Sequence, residues 1–268
     1  MSIRPNQPQT IGGVLDISFQ LYKASLGSVW PLSLLLILAS SPQQIYLVMH
    51  GAFSVNSADP MAILAIYGQP GYWLCTLLGL ALSMWVLAAL FKKVNAIGAD
   101  EALGIGSALQ LGAGNILSLV LMTVAAAIVL VIGMILLLVP GLILMVSLAL
   151  GTVLVVVEGK GPIQALTGSH KLVWGDWWRT VAIFSVGFII VIVAYFAIAF
   201  VAALILPFLG AANDPVLTGL LSVLIIGGLM SVLFLPYYVA LLLSVYWDLK
   251  LRKEGGDLAA RVSALGTT

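Results

Sequence analysis

Residues 116–157, ILSLVLMTVAAAIVLVIGMILLLVPGLILMVSLALGTVLVVV, form a run of 42 residues without one Asp, Glu, Lys or Arg. A helix needs about 20 apolar residues to cross the ~30 Å hydrocarbon core of a bilayer. The run is therefore too long for one crossing and suits two. Leu138-Val139-Pro140-Gly141 divides it near the middle. Proline lacks a backbone donor and clashes with the preceding turn, and glycine permits a reversal. A tight helical hairpin is expected here; one long kinked helix with a re-entrant part is the alternative.

Working outward, the same pattern recurs. No charged residue lies between Arg179 and Asp214. The whole chain of 268 residues is 62% hydrophobic and 8% charged, against roughly 25% charged in a soluble domain. These gaps place spans near 28–49, 72–91, 115–138, 141–157, 180–208 and 217–246. The fold class expected is all-α, a polytopic transmembrane bundle of about six spans in a single domain, residues 1–268. The N-terminus MSIRPNQPQT is polar, so no cleavable signal is expected. Residues 248–268 read as a cytoplasmic tail.

Under a six-span count all eleven Lys and Arg residues fall on one side. Basic residues stay on the cytoplasmic face during insertion, so both termini are expected in the cytoplasm. The loop 50–71, long and free of Lys and Arg, lies opposite. Aromatic residues mark the boundaries: Trp30, Trp73, Trp174, Trp177, Trp178 and Trp247 read as interface anchors, because indole prefers the headgroup level. Trp85 lies inside a span and is expected to pack between helices.

Three segments on the basic side look alike. Val14-Leu15…Ser18…Leu21, Ala102-Leu103…Gly106…Leu109 and Ala165-Leu166…Ser169…Leu172 share a spacing, and each precedes a pair of spans. They suggest amphipathic interfacial helices at 10–26, 100–112 and 161–176, with apolar faces in the acyl boundary. The chain would then hold three units of interfacial helix plus hairpin.

The chemistry on offer is sparse. No span carries an ionisable residue near its middle, where ion-coupled transport usually needs one. Ser40, Ser41, Gln43 and Gln44 surround Pro42 in the first span, and read either as helix–helix contacts or as the lining of a solute path. The richest ionisable cluster is Glu158, Lys160, His170, Lys171, Asp176 and Arg179. A structural role is the simpler reading of it, with acid–base work by Glu158, His170 and Asp176 the rival. A single cysteine, Cys75, and two histidines give no metal-ligand spacing, so no cofactor is expected. The net charge of +1 implies no nucleic-acid partner. The partner expected is the lipid bilayer, with anionic headgroups near Lys250, Arg252, Lys253 and Arg261.

Longer motifs carry a resemblance. They are Ile11-Gly12-Gly13-Val14-Leu15-Asp16 with Phe19 and Tyr22, Val157-Glu158-Gly159…Ala165-Leu166…Ser169…Leu172-Val173-Trp174-Gly175-Asp176-Trp177-Trp178, and Tyr246-Trp247-Asp248-Leu249-Lys250-Leu251-Arg252. Together they resemble the membrane domain in front of some bacterial glycerophosphodiester phosphodiesterases and its free-standing YciC-type inner-membrane relatives. The resemblance implies a bacterial cytoplasmic-membrane location. It carries over no catalytic residue, because the phosphodiesterase chemistry of the fused proteins belongs to a separate soluble barrel. Three functions are open on this reading: a non-enzymatic scaffold or accessory to envelope and lipid processes, a transporter or channel for a neutral or lipid-like solute, and an interfacial enzyme.

Overall fold

The computed structural model describes residues 2–50, 60–205 and 228–265, and among these every regular element is a helix. In chain order they are α1 (Ile11–Met49), α2 (Pro60–Tyr67), α3 (Pro70–Gly98), α4 (Ile105–Ala113), α5 (Ile116–Leu136), α6 (Leu138–Leu148), α7 (Gly151–Glu158), α8 (Pro162–Val173), α9 (Trp177–Ile205) and α10 (Gly228–Leu265). Six stretches are long and apolar enough to cross a membrane: α1, α3, α5, α6 with α7, α9, and α10 as far as Gly255. The protein is a multi-pass membrane protein with an all-α bundle. Residues 206–208 and 217–227 of the expected fifth and sixth spans lie outside the described residues.

Several boundaries differ from the sequence reading, each for a local reason. The expected surface helix 10–26 and the first span are one continuous helix of 39 residues, about 58 Å long at 1.5 Å per residue. Thr10 caps it, its hydroxyl accepting from the Gly13 N–H at 3.1 Å. Pro42 removes the donor that would meet the Leu38 carbonyl, and the Ser41 hydroxyl bonds that carbonyl at 2.7 Å, so the helix passes through its proline unbroken. At the other end of the chain α10 runs on to Leu265, so the expected tail is helical through residue 265.

The hairpin between the third and fourth spans turns on one extended residue, Leu137 (φ −166°, ψ 143°). Pro140 sits in the first turn of α6, where a missing N–H costs nothing. Gly141 acts by contact: a Cβ there would lie 2.5 Å from the Met134 sulfur and 3.1 Å from its Cα. The two arms meet so closely because neither Gly133 nor Gly141 has a side chain.

The fourth span breaks again at Ala149-Leu150. Ser169 from α8 repairs that break. Its hydroxyl donates to the Ser147 carbonyl at 2.7 Å and accepts from the Leu150 N–H at 3.1 Å. Orphan backbone groups in a buried kink are costly, and a short polar side chain from a neighbouring helix satisfies both.

The three look-alike segments fold differently. The first is the front of α1, the second is helical only from Ile105, and the third is α8 throughout. Their apolar faces meet protein, with Val14, Ser18, Leu21, Ala108, Ala165 and Ser169 all buried. α4 lies on α3, where a Cβ on Gly112 would come 2.9 Å from the Ala89 nitrogen.

The core is concentrated at one end. The end of α3, most of α7 and the stretch 239–249 of α10 are nearly sealed from solvent, and the N-terminal half of α1 buries one stripe, Val14, Ser18, Leu21, Ser25 and Val29. Toward the other end the helices expose broad apolar faces. The most apolar windows of α5 and α9 are only 17% and 6% buried within the protein, which leaves lipid as their neighbour. Lipid tails are as apolar as leucine, so helices inside a bilayer gain little by hiding such faces. Where water is the competing solvent, burial is worth about 25 cal/mol per Å².

Candidate functional site

The packed end of the bundle is also its charged end, and two carboxylates organise it. Asp248, on α10, is 1% exposed. Its Oδ1 accepts from the Gln9 N–H at 2.7 Å. Its Oδ2 accepts from Arg179 (Nη2, 3.1 Å) and from Arg252 (Nε, 3.0 Å). Both guanidinium groups also donate to the Gln9 carbonyl, Arg179 at 2.6 Å. The peptide before α1 is thus held through both its polar groups, and α1, α9 and α10 meet at this one carboxylate.

The same N-terminal segment also caps α3. The Gly98 carbonyl accepts from the N–H groups of Ile3 and Arg4, each at 3.0 Å. Arg4 lies over the Trp247 ring at 5.9 Å, a cation–π distance. Trp247 rests edge-on against Gly98, where a Cβ would overlap the indole.

Glu158 is the second centre. It ends α7, and Gly159 after it takes the left-handed conformation (φ 68°) that closes the helix and suits glycine. Glu158 Oε1 accepts from the Tyr246 hydroxyl at 2.6 Å and from Lys250 at 2.8 Å, while Lys160 lies 2.7 Å from Oε2. Side-chain exposures of 20% for Glu158 and 31–38% for the lysines leave these pairs partly open to water. The remaining basic side chains of α3 serve as braces: Lys92 donates to the Val156 carbonyl at 3.1 Å and Lys93 to that of Leu103 at 2.8 Å.

The ionisable cluster expected from sequence is therefore split. Glu158 and Lys160 pair with each other, and Arg179 belongs to Asp248. His170 contacts Trp174, ring centroids 5.0 Å apart, and makes no hydrogen bond or ion pair with Glu158 or Asp176. The Asp176 carbonyl accepts the Thr180 N–H at the start of α9, and Lys171 is exposed on α8. Among the described residues no group of three or more His, Cys, Asp and Glu is placed to hold a metal ion.

Sequence reasoning did not single out Asp248, Tyr246 or Gln9 as site residues. A signal existed: Asp248 with Arg252, and Tyr246 with Lys250, are spaced i,i+4, which puts each pair on one helix face.

The aromatic anchors also divide. Trp30, Trp73, Trp174 and Trp178 are exposed. Trp247 is corrected outright: at 1% exposure it is a core residue. Trp177 packs partly against the core, its indole N–H donating to the Ile143 carbonyl at 3.2 Å. Trp85 packs between helices as expected, donating to the Leu109 carbonyl at 2.8 Å.

In the first span Ser40 donates to the Ile37 carbonyl, Gln43 donates to the Tyr72 hydroxyl at 2.7 Å, and Gln44 is exposed. Ser41 bonds the carbonyl freed by Pro42.

Two hollows flank the turn between α8 and α9. One, of about 390 Å³, is apolar and lined by Ile143, Trp174, Gly175, Trp177 and Trp178. The other, of about 340 Å³, has mixed walls, apolar at Leu154 and Leu172 and charged at Glu158, Lys160, Lys250, Lys253 and Glu254.

No curated protein and no solved structure matches the chain. A family model does, over residues 68–246, well over half of the length. Its description makes no link to glycerophosphodiester phosphodiesterases or to YciC-type proteins. The match runs from just before α3 to the residue that hydrogen-bonds Glu158, and on that extent the chain belongs to the DUF7847 family, described as a domain of unknown function.

Proposed function

We propose that this chain is a non-enzymatic protein of the bacterial cytoplasmic membrane, a scaffold or accessory to envelope or lipid processes. Its charged end and both termini face the cytoplasm in this reading. One observation carries it: Asp248 and Glu158, at the charged end, are engaged in joining helix ends. Asp248 accepts from Gln9, Arg179 and Arg252, and Glu158 from Tyr246, Lys250 and Lys160. Such pairing ties the helix ends into a rigid platform. The collection of Lys and Arg at that end supports the orientation, since basic residues are retained in the cytoplasm. The resemblance to YciC-type proteins supports the bacterial location.

The solute-path reading has less behind it. The Ser40 and Ser41 hydroxyls return to carbonyls of their own helix, and Gln43 bonds Tyr72. None of these residues lines either hollow.

Reconstituted proteoliposomes test the proposal directly. The expected result is no turnover of glycerophosphodiesters or phospholipids and no flux of neutral solutes above protein-free vesicles. Turnover that His170→Ala or Glu158→Gln abolishes would establish the enzyme reading in its place. Flux sensitive to Gln43→Ala would establish the transporter.

A further inference from the structure

The two hollows are linked by one hydrogen bond between their walls, and that arrangement suits a molecule with a charged head and an apolar tail. Trp174 and Gly175 line the apolar groove, and Lys253 of the second hollow reaches the same turn, donating to the Trp174 carbonyl at 2.9 Å. The groove lies between α6 and the start of α9, two helices with exposed apolar side chains such as Met145 and Phe188. Trp178, 80% exposed, stands at its edge.

The charged part of the second hollow has an excess of positive charge. Three lysines line it against two glutamates. Glu158 holds Lys160 and Lys250, and Glu254 lies 3.9 Å from Lys250. Lys253 meets no carboxylate among the described side chains. An ammonium group carries three donors, and the Trp174 carbonyl takes one of them.

The four basic residues near the end of the chain are thus unequal as headgroup ligands. Arg252 is tied to Asp248 and Gln9, Lys250 is tied to Glu158, and the Arg261 side chain lies outside the described residues. Of the three described, Lys253 is the one with no carboxylate partner among the described side chains.

We propose that the Trp174–Gly175 turn divides a binding site for one anionic phospholipid. The phosphate sits in the cavity against Lys253, with Lys160 and Lys250 beside it, and an acyl chain lies in the groove along Trp178. The inference needs the chain to be in a bilayer and nothing more of the function proposed above. An anion without a tail would leave the tryptophan groove open, and a zwitterionic lipid would leave the lysine excess unmatched.

Quenching by acyl-brominated lipids tests this in the full chain, reconstituted in phosphatidylcholine vesicles. The signal is the part of the tryptophan emission lost in Trp178→Phe. Brominated phosphatidylglycerol is expected to quench it at about fivefold lower lipid fraction than brominated phosphatidylcholine, the effect of roughly one surface lysine on an anionic lipid. Lys253→Gln should abolish that preference, whereas Lys253→Arg and Lys171→Gln should keep it.

Equal quenching by the two lipids, or a preference that survives Lys253→Gln, overturns the assignment. Glycerol phosphate that removes the preference, where chloride of equal ionic strength does not, would assign the cavity to a soluble phosphate and equally overturn the lipid. Native mass spectrometry of the unmodified protein gives an answer independent of any variant: phosphatidylglycerol should be retained over phosphatidylcholine, and parity refutes the site.

Discussion

Replacing Asp248 by asparagine perturbs the charged end at its most buried point while keeping the side chain's shape. Asparagine can still accept from the Gln9 N–H through its remaining carbonyl oxygen. Its amide, however, turns two donors toward Arg179 and Arg252, where Oδ2 now accepts at 3.1 and 3.0 Å. A hydrogen bond to a charged group contributes roughly 1.5–3 kcal/mol. The arginines are 18% and 30% exposed, so water recovers part of their solvation and the lower figure applies to each. The expected loss is about 3 kcal/mol. Equilibrium unfolding in mixed micelles, followed by tryptophan emission, measures it. Hydrogen exchange at the Gln9 amide should accelerate in parallel, because the segment before α1 is held at that peptide. In a double-mutant cycle, Asp248→Asn and Arg179→Gln together should cost less than the sum of the two. An asparagine variant within about 0.5 kcal/mol of the parent, the range of ordinary surface changes, with its Gln9 amide still protected, would refute the reasoning.

Three further substitutions probe the same end. Ser169→Ala leaves the Leu150 N–H and the Ser147 carbonyl without their shared partner and should cost about 2 kcal/mol, read from the same unfolding curves. Gly98→Ala places a methyl group inside the Trp247 contact. A loss of about 2 kcal/mol is expected, much of it recovered when Trp247→Phe shrinks the ring, and an unchanged midpoint would show that the contact is loose. Glu158→Gln should cost only about 1 kcal/mol, since its pairs are partly exposed, and the difference should shrink in molar salt; a salt-independent loss would place Glu158 in a drier environment than its geometry gives.

The six crossings were legible because a charge-free run of bilayer length has few other uses, and residues 116–157 have too many for one crossing. Their ends were not legible to the same degree. Hydropathy reports the solvent of a residue, and a helix can leave the lipid without ending. α1 and α10 do so, which is why a surface helix and a tail turned out to be continuations of spans. Pro140-Gly141 was placed correctly near a turn, but its mechanism differs: the extended residue is Leu137, and Gly141 matters for the closeness of Met134. The breaks at Ala149-Leu150 and the burial of Trp247 have no sequence signature of their own. Each depends on a partner far along the chain, Ser169 in one case and Gly98 in the other.

The charged cluster shows the same limit from the other direction. Glu158, Lys160, His170, Lys171, Asp176 and Arg179 lie close in sequence, which made them look like one site. Helix geometry separates them, because α8 carries His170 and Lys171 away from the carboxylate at its entry. Apart from Lys160, the side-chain partners of Glu158 come from α10, as does the carboxylate that pairs with Arg179, some 70 to 90 residues on. Such long-range pairs become worthwhile where the helices leave the lipid. Inside the bilayer, close packing at glycines such as Gly79 and Gly187 must hold the helices. At the exit, water makes both apolar burial and charge pairing selective, and the chain places its core, its buried carboxylate and its docked N-terminal segment there together. Lys253, which meets no carboxylate among the described side chains, stands there beside an apolar groove, and that is the place where we propose that a ligand adds an interaction.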